Sequence, residues 1–116
     1  MASYNLAGDI GGTNARFAIV SQGSSELISI KTLQCEKFET IQQAIRFYLS
    51  SIEDIQISSA CIASAGTVRL DTFKPANNDW VINKSDVSSA LNNIQVSWIN
   101  DFNAQALATT LLSNND

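Results

Sequence analysis

Residues 6–20, Leu-Ala-Gly-Asp-Ile-Gly-Gly-Thr-Asn-Ala-Arg-Phe-Ala-Ile-Val, read as two short apolar strands folded back on each other through a Gly-Gly-Thr turn. Asp9 stands at the end of the first strand. Glycines let a backbone turn tightly and leave amide N–H groups uncovered, the surface that a polyphosphate needs. A carboxylate beside such a turn repels an anion unless a divalent cation bridges the two. Mg²⁺ suits that place, because it keeps several waters and is held by one or two carboxylates plus the phosphates of a substrate. A β-hairpin with a Gly-rich loop and a solvated Asp accounts for the same residues without any chemistry.

Composition narrows the alternatives. A chain of 116 residues makes one domain at most, long enough for a core but short for an enzyme that binds two substrates. Apolar residues make up 45%, with sparse and mixed charge, as expected of a soluble globular chain. The net charge of −4 and the absence of Lys/Arg runs argue against a nucleic-acid surface, which needs a basic stripe. No apolar run approaches the roughly 18 residues of a membrane span. The opening Met-Ala-Ser-Tyr-Asn lacks the order of a signal peptide, so a cytoplasmic protein with reduced thiols is expected. Cys35 lies in a polar stretch and Cys61 in an apolar run that predicts a buried thiol; neither shows metal-ligand spacing. With no histidine, imidazole-base and zinc-hydrolase chemistry are excluded from this segment.

Along the chain, residues 4–9 and 15–20 are the first two strands, 21–25 a turn, and 27–32 a third strand, together an antiparallel meander. The period then changes. Ile41, Ala44, Ile45, Tyr48, Leu49 and Ile52 fall at helical spacing behind a capping Thr40. Residues 59–64 form a near-continuous apolar run, as in a central strand covered on both faces. Ala65-Gly66-Thr67 breaks it, 68–73 alternates like an exposed hairpin arm, and 74–80 is loop. Ser85 is expected to cap a short helix through Asn92, with Asp86 near its positive end. Residues 95–99 are a last strand, and 102–112 a helix carrying Phe102, Ala106, Leu107 and Leu111. The order βββαβαβα describes an α/β domain with a mixed five-stranded sheet and helices on both faces. In such sheets ligands gather beyond the carboxyl ends of the strands, where Asp9, Gly66, Asn100 and Asp101 all fall.

Two runs are specific enough to carry a resemblance: Gly8-Asp9-Ile10-Gly11-Gly12-Thr13-Asn14-Ala15-Arg16 and Trp98-Ile99-Asn100-Asp101-Phe102-Asn103-Ala104. Cys61-Ile62-Ala63-Ser64-Ala65-Gly66, then Asn77-Asn78-Asp79-Trp80, supports it in the same order. Over essentially its whole length the chain resembles the amino-terminal half of a bacterial glucokinase. That family lies within the ribonuclease-H-like superfamily of sugar kinases, actin and chaperone ATPases. The resemblance implies ATP-dependent phosphorylation of glucose, with ATP and Mg²⁺ as cofactors and a homodimer as a common assembly. It further implies that Asp9 organises the metal–phosphate end and that Gly11, Gly12, Thr13 and Asn14 face the ATP phosphates. Asn77 and Asn100 would bond sugar hydroxyls in a site that includes Gly66, and Asp101 would be the general base. The chemistry asks for these types independently: a sugar hydroxyl is a weak nucleophile that a carboxylate can deprotonate, and carboxamides both donate and accept.

Two features qualify the expectation. The glucokinase pattern usually has Pro after the Gly of the loop behind the central strand, and here that position is Thr67, which leaves the loop freer and strict glucose specificity less fixed. These kinases also close two lobes around the nucleotide. Residues 1–116 are expected to be the amino-terminal lobe, with the adenosine-binding residues in a second lobe outside the chain, so the chain alone should fold without turning over.

Plainer roles are available to the same residues. Asp101 suits the cap of the following helix, and Asn77-Asn78-Asp79 suits a turn. Trp80 and Trp98 are expected to pack, and Arg16 to balance a carboxylate or solvate a strand edge. Rival functions are a kinase for another hexose and a sugar-sensing regulator on the same fold. The regulator normally carries a helix-turn-helix ahead of the first strand, and only three residues precede Tyr4. A ribonuclease-H-like nuclease could use Asp9 and Asp101 in a two-metal site, but it would not require Gly-Gly-Thr and would want a basic face.

Overall fold

The computed structural model describes residues 2–21, 26–52, 55–64, 67–69, 72–75 and 79–99. Strands β1 (Ala2–Ile10), β2 (Asn14–Ser21) and β3 (Ile28–Gln34) come first, followed by a 3-10 turn at Cys35–Lys37 and helix α1 (Ile41–Ser50). Then come β4 (Ile55–Ser64), three short strands β5 (Thr67–Arg69), β6 (Thr72–Lys74) and β7 (Ile82–Asn83), helix α2 (Lys84–Ala90) and β8 (Gln95–Ile99). The main sheet runs β3-β2-β1-β4-β8. β3, β2 and β1 are antiparallel, whereas β4 lies parallel to β1 and β8 parallel to β4, giving the expected mixed five-stranded sheet.

The alternation along β1 and β2 sets the core. Leu6 and Ile10 of β1, Phe17 and Ile19 of β2, Ile62 of β4 and Val96 of β8 form one buried cluster with Ile41, Ile45 and Tyr48 of α1 and Val87 of α2. The Phe17 and Tyr48 rings stack with centroids 5.5 Å apart. Ala7, Val20, Cys61 and Ala63 form a second buried cluster, set by the strand period on the other face. Both described helices thus lie on one face; the helix expected over 102–112 falls outside the described residues.

Helix α1 begins as its sequence predicts. The Thr40 side chain accepts a hydrogen bond from the Gln43 amide, and Gln43 Oε1 accepts one from the Glu39 amide at 3.0 Å, which satisfies two backbone donors at the helix start.

Several boundaries differ from the expectation. β3 runs on to Gln34, and Cys35, expected in a polar stretch, is buried with Leu33 in the main cluster, while Gln34 between them is exposed. β4 begins at Ile55. Segment 68–73 is two strands, not one arm: β5 pairs with β6 and β6 with β7 in a separate three-stranded sheet, so the element order departs from βββαβαβα. Ser85 does not cap α2. Asn83 is held extended by pairing with Thr72, so the helix starts immediately after it, at Lys84. Asn83 Oδ1 accepts from Thr72 Oγ1 at 2.7 Å, and its amide donates to Asp86 Oδ2 at 3.1 Å. The helix ends at Ala90, before Asn92, because Asn92 and Asn93 both take left-handed backbone, with φ of 66° and 62°.

Candidate functional site

The β1–β2 hairpin presents the Gly-Gly-Thr loop at the end of the sheet. Its last rungs pair Asp9 with Arg16 and Ile10 with Ala15, and the Gly11 amide closes the turn by donating to the Asn14 carbonyl at 2.9 Å. Gly11 therefore spends its amide inside the hairpin. The Cys35 amide donates to the Thr13 carbonyl at 2.9 Å, tying the tip of the loop to the 3-10 turn behind β3.

Asp9 points away from the main core, since its neighbours Gly8 and Ile10 face it. Arg16 Nη2 lies 3.4 Å from Asp9 Oδ2, and both side chains reach solvent. The expectation that Arg16 balances a carboxylate holds. On the other side of the loop lies a groove of about 500 Å³. Its walls are Gly12 and Thr13, Cys35 and Phe38, and Asp79 and Trp80, with the carboxylates of Glu36 and Glu39 also on its lining. Trp80 is a packing residue, as expected: it is 5% exposed and its indole Nε1 donates to the Phe38 carbonyl at 3.1 Å. Trp98 packs against the same core beneath the Lys84 ammonium, which stands 5.3 Å from the ring centroid.

Of the residues singled out in the sequence, Asp9, Gly11, Gly12, Thr13 and Asn14 are brought together on this one hairpin. Gly66, Asn77, Asn100 and Asp101 lie outside the described residues. The strands that precede them are described, and their register is informative. Ile10 pairs with Ser64, and Ala63 pairs with Ile99, so β1, β4 and β8 reach their carboxyl ends at one level. Sequence reasoning missed the part played by Cys35, Phe38 and Trp80 around the loop. The alternation of Leu33 and Cys35 could have extended β3 toward it, whereas nothing local joins Trp80 to Phe38.

Cys61 is buried in the second cluster, and burial pushes its thiol up to about 11. Neither cysteine is in a disulfide. Among the described residues no three His, Cys, Asp or Glu side chains are gathered to hold a metal by themselves, and no helix is long and apolar enough to cross a membrane.

A mixed sheet of this order with a Gly-Gly-Thr hairpin at its carboxyl end is the architecture of sugar kinases with the actin-like ATPase fold. The solved glucokinase of an Antarctic psychrotroph superposes with a TM-score of 0.74 at 33% identity, over 85% of this chain and 32% of that one. A ROK family glucokinase from Streptomyces griseus, crystallised with glucose and AMPPNP, shares the fold at a TM-score of 0.60 and 23% identity, over 84% of this chain and 33% of its own. The family model for glucokinase matches residues 6–116, and the chain belongs to that family. The glucokinase of Hahella chejuensis is 44% identical over 93% of this chain and 34% of its own length, and that of Marinobacter nauticus 39% identical over 95% and 34%. The chain thus spans about a third of the length of the relatives it matches.

Proposed function

We propose that this chain is the amino-terminal lobe of a cytoplasmic kinase that transfers the γ-phosphoryl group of ATP to glucose, giving glucose 6-phosphate. The observation that carries the reading is the common level of three strand ends. Ile10, Ser64 and Ile99 finish β1, β4 and β8 at one edge of the sheet.

On this reading the amides of the Gly12–Thr13 tip receive the phosphates, while Gly11 and Asn14 hold the tip in shape. Asp9 would hold Mg²⁺ together with those phosphates. Asp9, at the strand end beside the loop, suits an ion that takes most of its ligands from phosphate and water. Bound there, Mg²⁺ supplies charge neutralisation for the polyphosphate. Asn77, Asn100 and Gly66 orient the sugar, with each carboxamide donating to one hydroxyl and accepting from another. Asp101 takes the proton of the attacking hydroxyl as its bond to phosphorus forms, a contribution of roughly 10²–10⁴-fold. Most of the rate comes from in-line positioning. The Streptomyces griseus relative, crystallised with glucose and AMPPNP, supports the choice of sugar and nucleotide.

The test is ATP-dependent phosphorylation by the complete gene product across a panel of hexoses, wild type against Asp101→Asn. Glucose turnover that falls by roughly 10²–10⁴-fold in a folded variant is expected. Turnover that survives the change makes Asp101 a helix cap, preference for another hexose corrects the substrate, and inactivity on every sugar defeats the reading.

A further inference from the structure

Three hydrogen bonds run in series from the Gly-Gly-Thr loop to the buried indole of Trp80. The Cys35 amide donates to the Thr13 carbonyl at 2.9 Å, and the Phe38 amide donates to the Cys35 carbonyl at 3.1 Å. The Trp80 indole then donates to the Phe38 carbonyl at 3.1 Å. The middle bond closes the 3-10 turn at Cys35–Lys37, so the piece between the two outer bonds is short and stiff. Cys35 and Trp80 are each 5% exposed, so two of the three donors in the series are buried. The same residues line the groove of about 500 Å³, with Gly12 and Thr13 on one wall and Asp79 and Trp80 on another.

Packing alone does not require this arrangement. A buried indole needs one acceptor, and any carbonyl in reach would serve. Here the acceptor belongs to the residue that ends the turn gripping Thr13. The ring is therefore tied through that turn to the loop. We propose that Trp80 is a positioning residue, whose indole N–H fixes the Gly12–Thr13 tip through Phe38 and Cys35. This rests on the functional reading above. A tip displaced by a fraction of an ångström presents its amides to the phosphates at the wrong distance, and small misplacements of that kind are costly in rate.

The test uses the complete protein with Trp80 replaced by benzothienylalanine, which keeps the bicyclic ring and puts sulfur in place of the N–H. Trp80→Phe serves as a second variant. Hydrogen exchange of the Cys35 amide is read first, then KM for ATP and for glucose. The isostere is expected to raise Cys35 exchange and KM for ATP each by about tenfold, the size of one lost hydrogen bond, with Tm lowered by only a few degrees. Trp80→Phe should do the same with a larger fall in Tm. Wild-type protection of the Cys35 amide with an unchanged KM for ATP overturns the proposal, whether or not KM for glucose moves, because the ring is then only packing or acting locally. A wild-type protein that phosphorylates no hexose defeats the functional reading instead, and the exchange measurement still decides the link between Trp80 and the loop.

Discussion

Asp9 and Arg16 face each other on the rung next to last in the β1–β2 hairpin, with Arg16 Nη2 3.4 Å from Asp9 Oδ2. The pair is solvent-exposed, so its net contribution to folding is small, typically under about 1 kcal/mol. Its position matters more, because only the Ile10–Ala15 rung separates it from the turn. Arg16→Gln in the complete protein should move the urea midpoint by less than about 0.5 kcal/mol equivalent. The KM for ATP should rise several-fold, as the carboxylate is left uncompensated before an approaching polyphosphate. A large loss of stability, or an unchanged KM, would count against this account.

Gly8 is required by packing. A Cβ built there would lie 3.1 Å from Phe17 Cε1 and 3.2 Å from Ile62 Cδ1, and Gly8 is the direct cross-strand partner of Phe17. Both neighbours are fully buried in the main cluster and Phe17 stacks on Tyr48, so neither ring nor methyl can yield freely. Gly8→Ala should destabilise by about 1–3 kcal/mol in urea unfolding, with Ile62→Val recovering part of the loss in the double variant.

These two positions also show what the sequence could convey. The hairpin was readable because its signal is local: alternating apolar residues on either side of Gly-Gly-Thr, with Asp9 at the strand end. Helix α1 was readable for the same reason, its apolar stripe repeating at 3.6 residues behind Thr40. The strands β5, β6 and β7 were not, since elements of two or three residues carry no period, and β6 takes its β7 register partners, Asn83 for Thr72 and Ile82 for Phe73, from further along the chain. That pairing also overrode the local cap signal of Ser85. The candidate site divides in the same way. Asp9, Gly11, Gly12, Thr13 and Asn14 sit in one contiguous run, whereas the bond from Trp80 to Phe38 spans 42 positions and leaves no trace in composition or spacing.

Thr40 tests how far α1 depends on its first turn. Its hydroxyl accepts from the Gln43 amide at 3.3 Å, and no acidic residue stands in that turn to supplement the cap. Thr40→Ala should cost about 1 kcal/mol, and Thr40→Asp should restore or exceed the original stability by adding a negative charge at the helix start. Chemical denaturation of the three proteins at one pH checks both statements.

Tyr48 gives a prediction with a definite sign in pH. Its hydroxyl donates to the Ser29 carbonyl at 2.8 Å, holding a residue whose φ is 54°, while the ring is fully buried against Phe17. Burial raises its pKa to about 12 from an ordinary 10.0. Because the folded protein favours the protonated phenol, the stability it confers is complete below pH 10 and is lost as pH rises toward 12. A shift of this size corresponds to about 2–3 kcal/mol over the window. Tyr48→Phe loses the hydrogen bond, so at neutral pH it should be about 1 kcal/mol less stable than wild type. Having no phenol to ionise, it should decline less steeply above pH 10. The two stability curves should therefore converge and cross before pH 12, and curves that stay parallel through that range would show that Tyr48 ionises as freely in the folded protein as in the unfolded one.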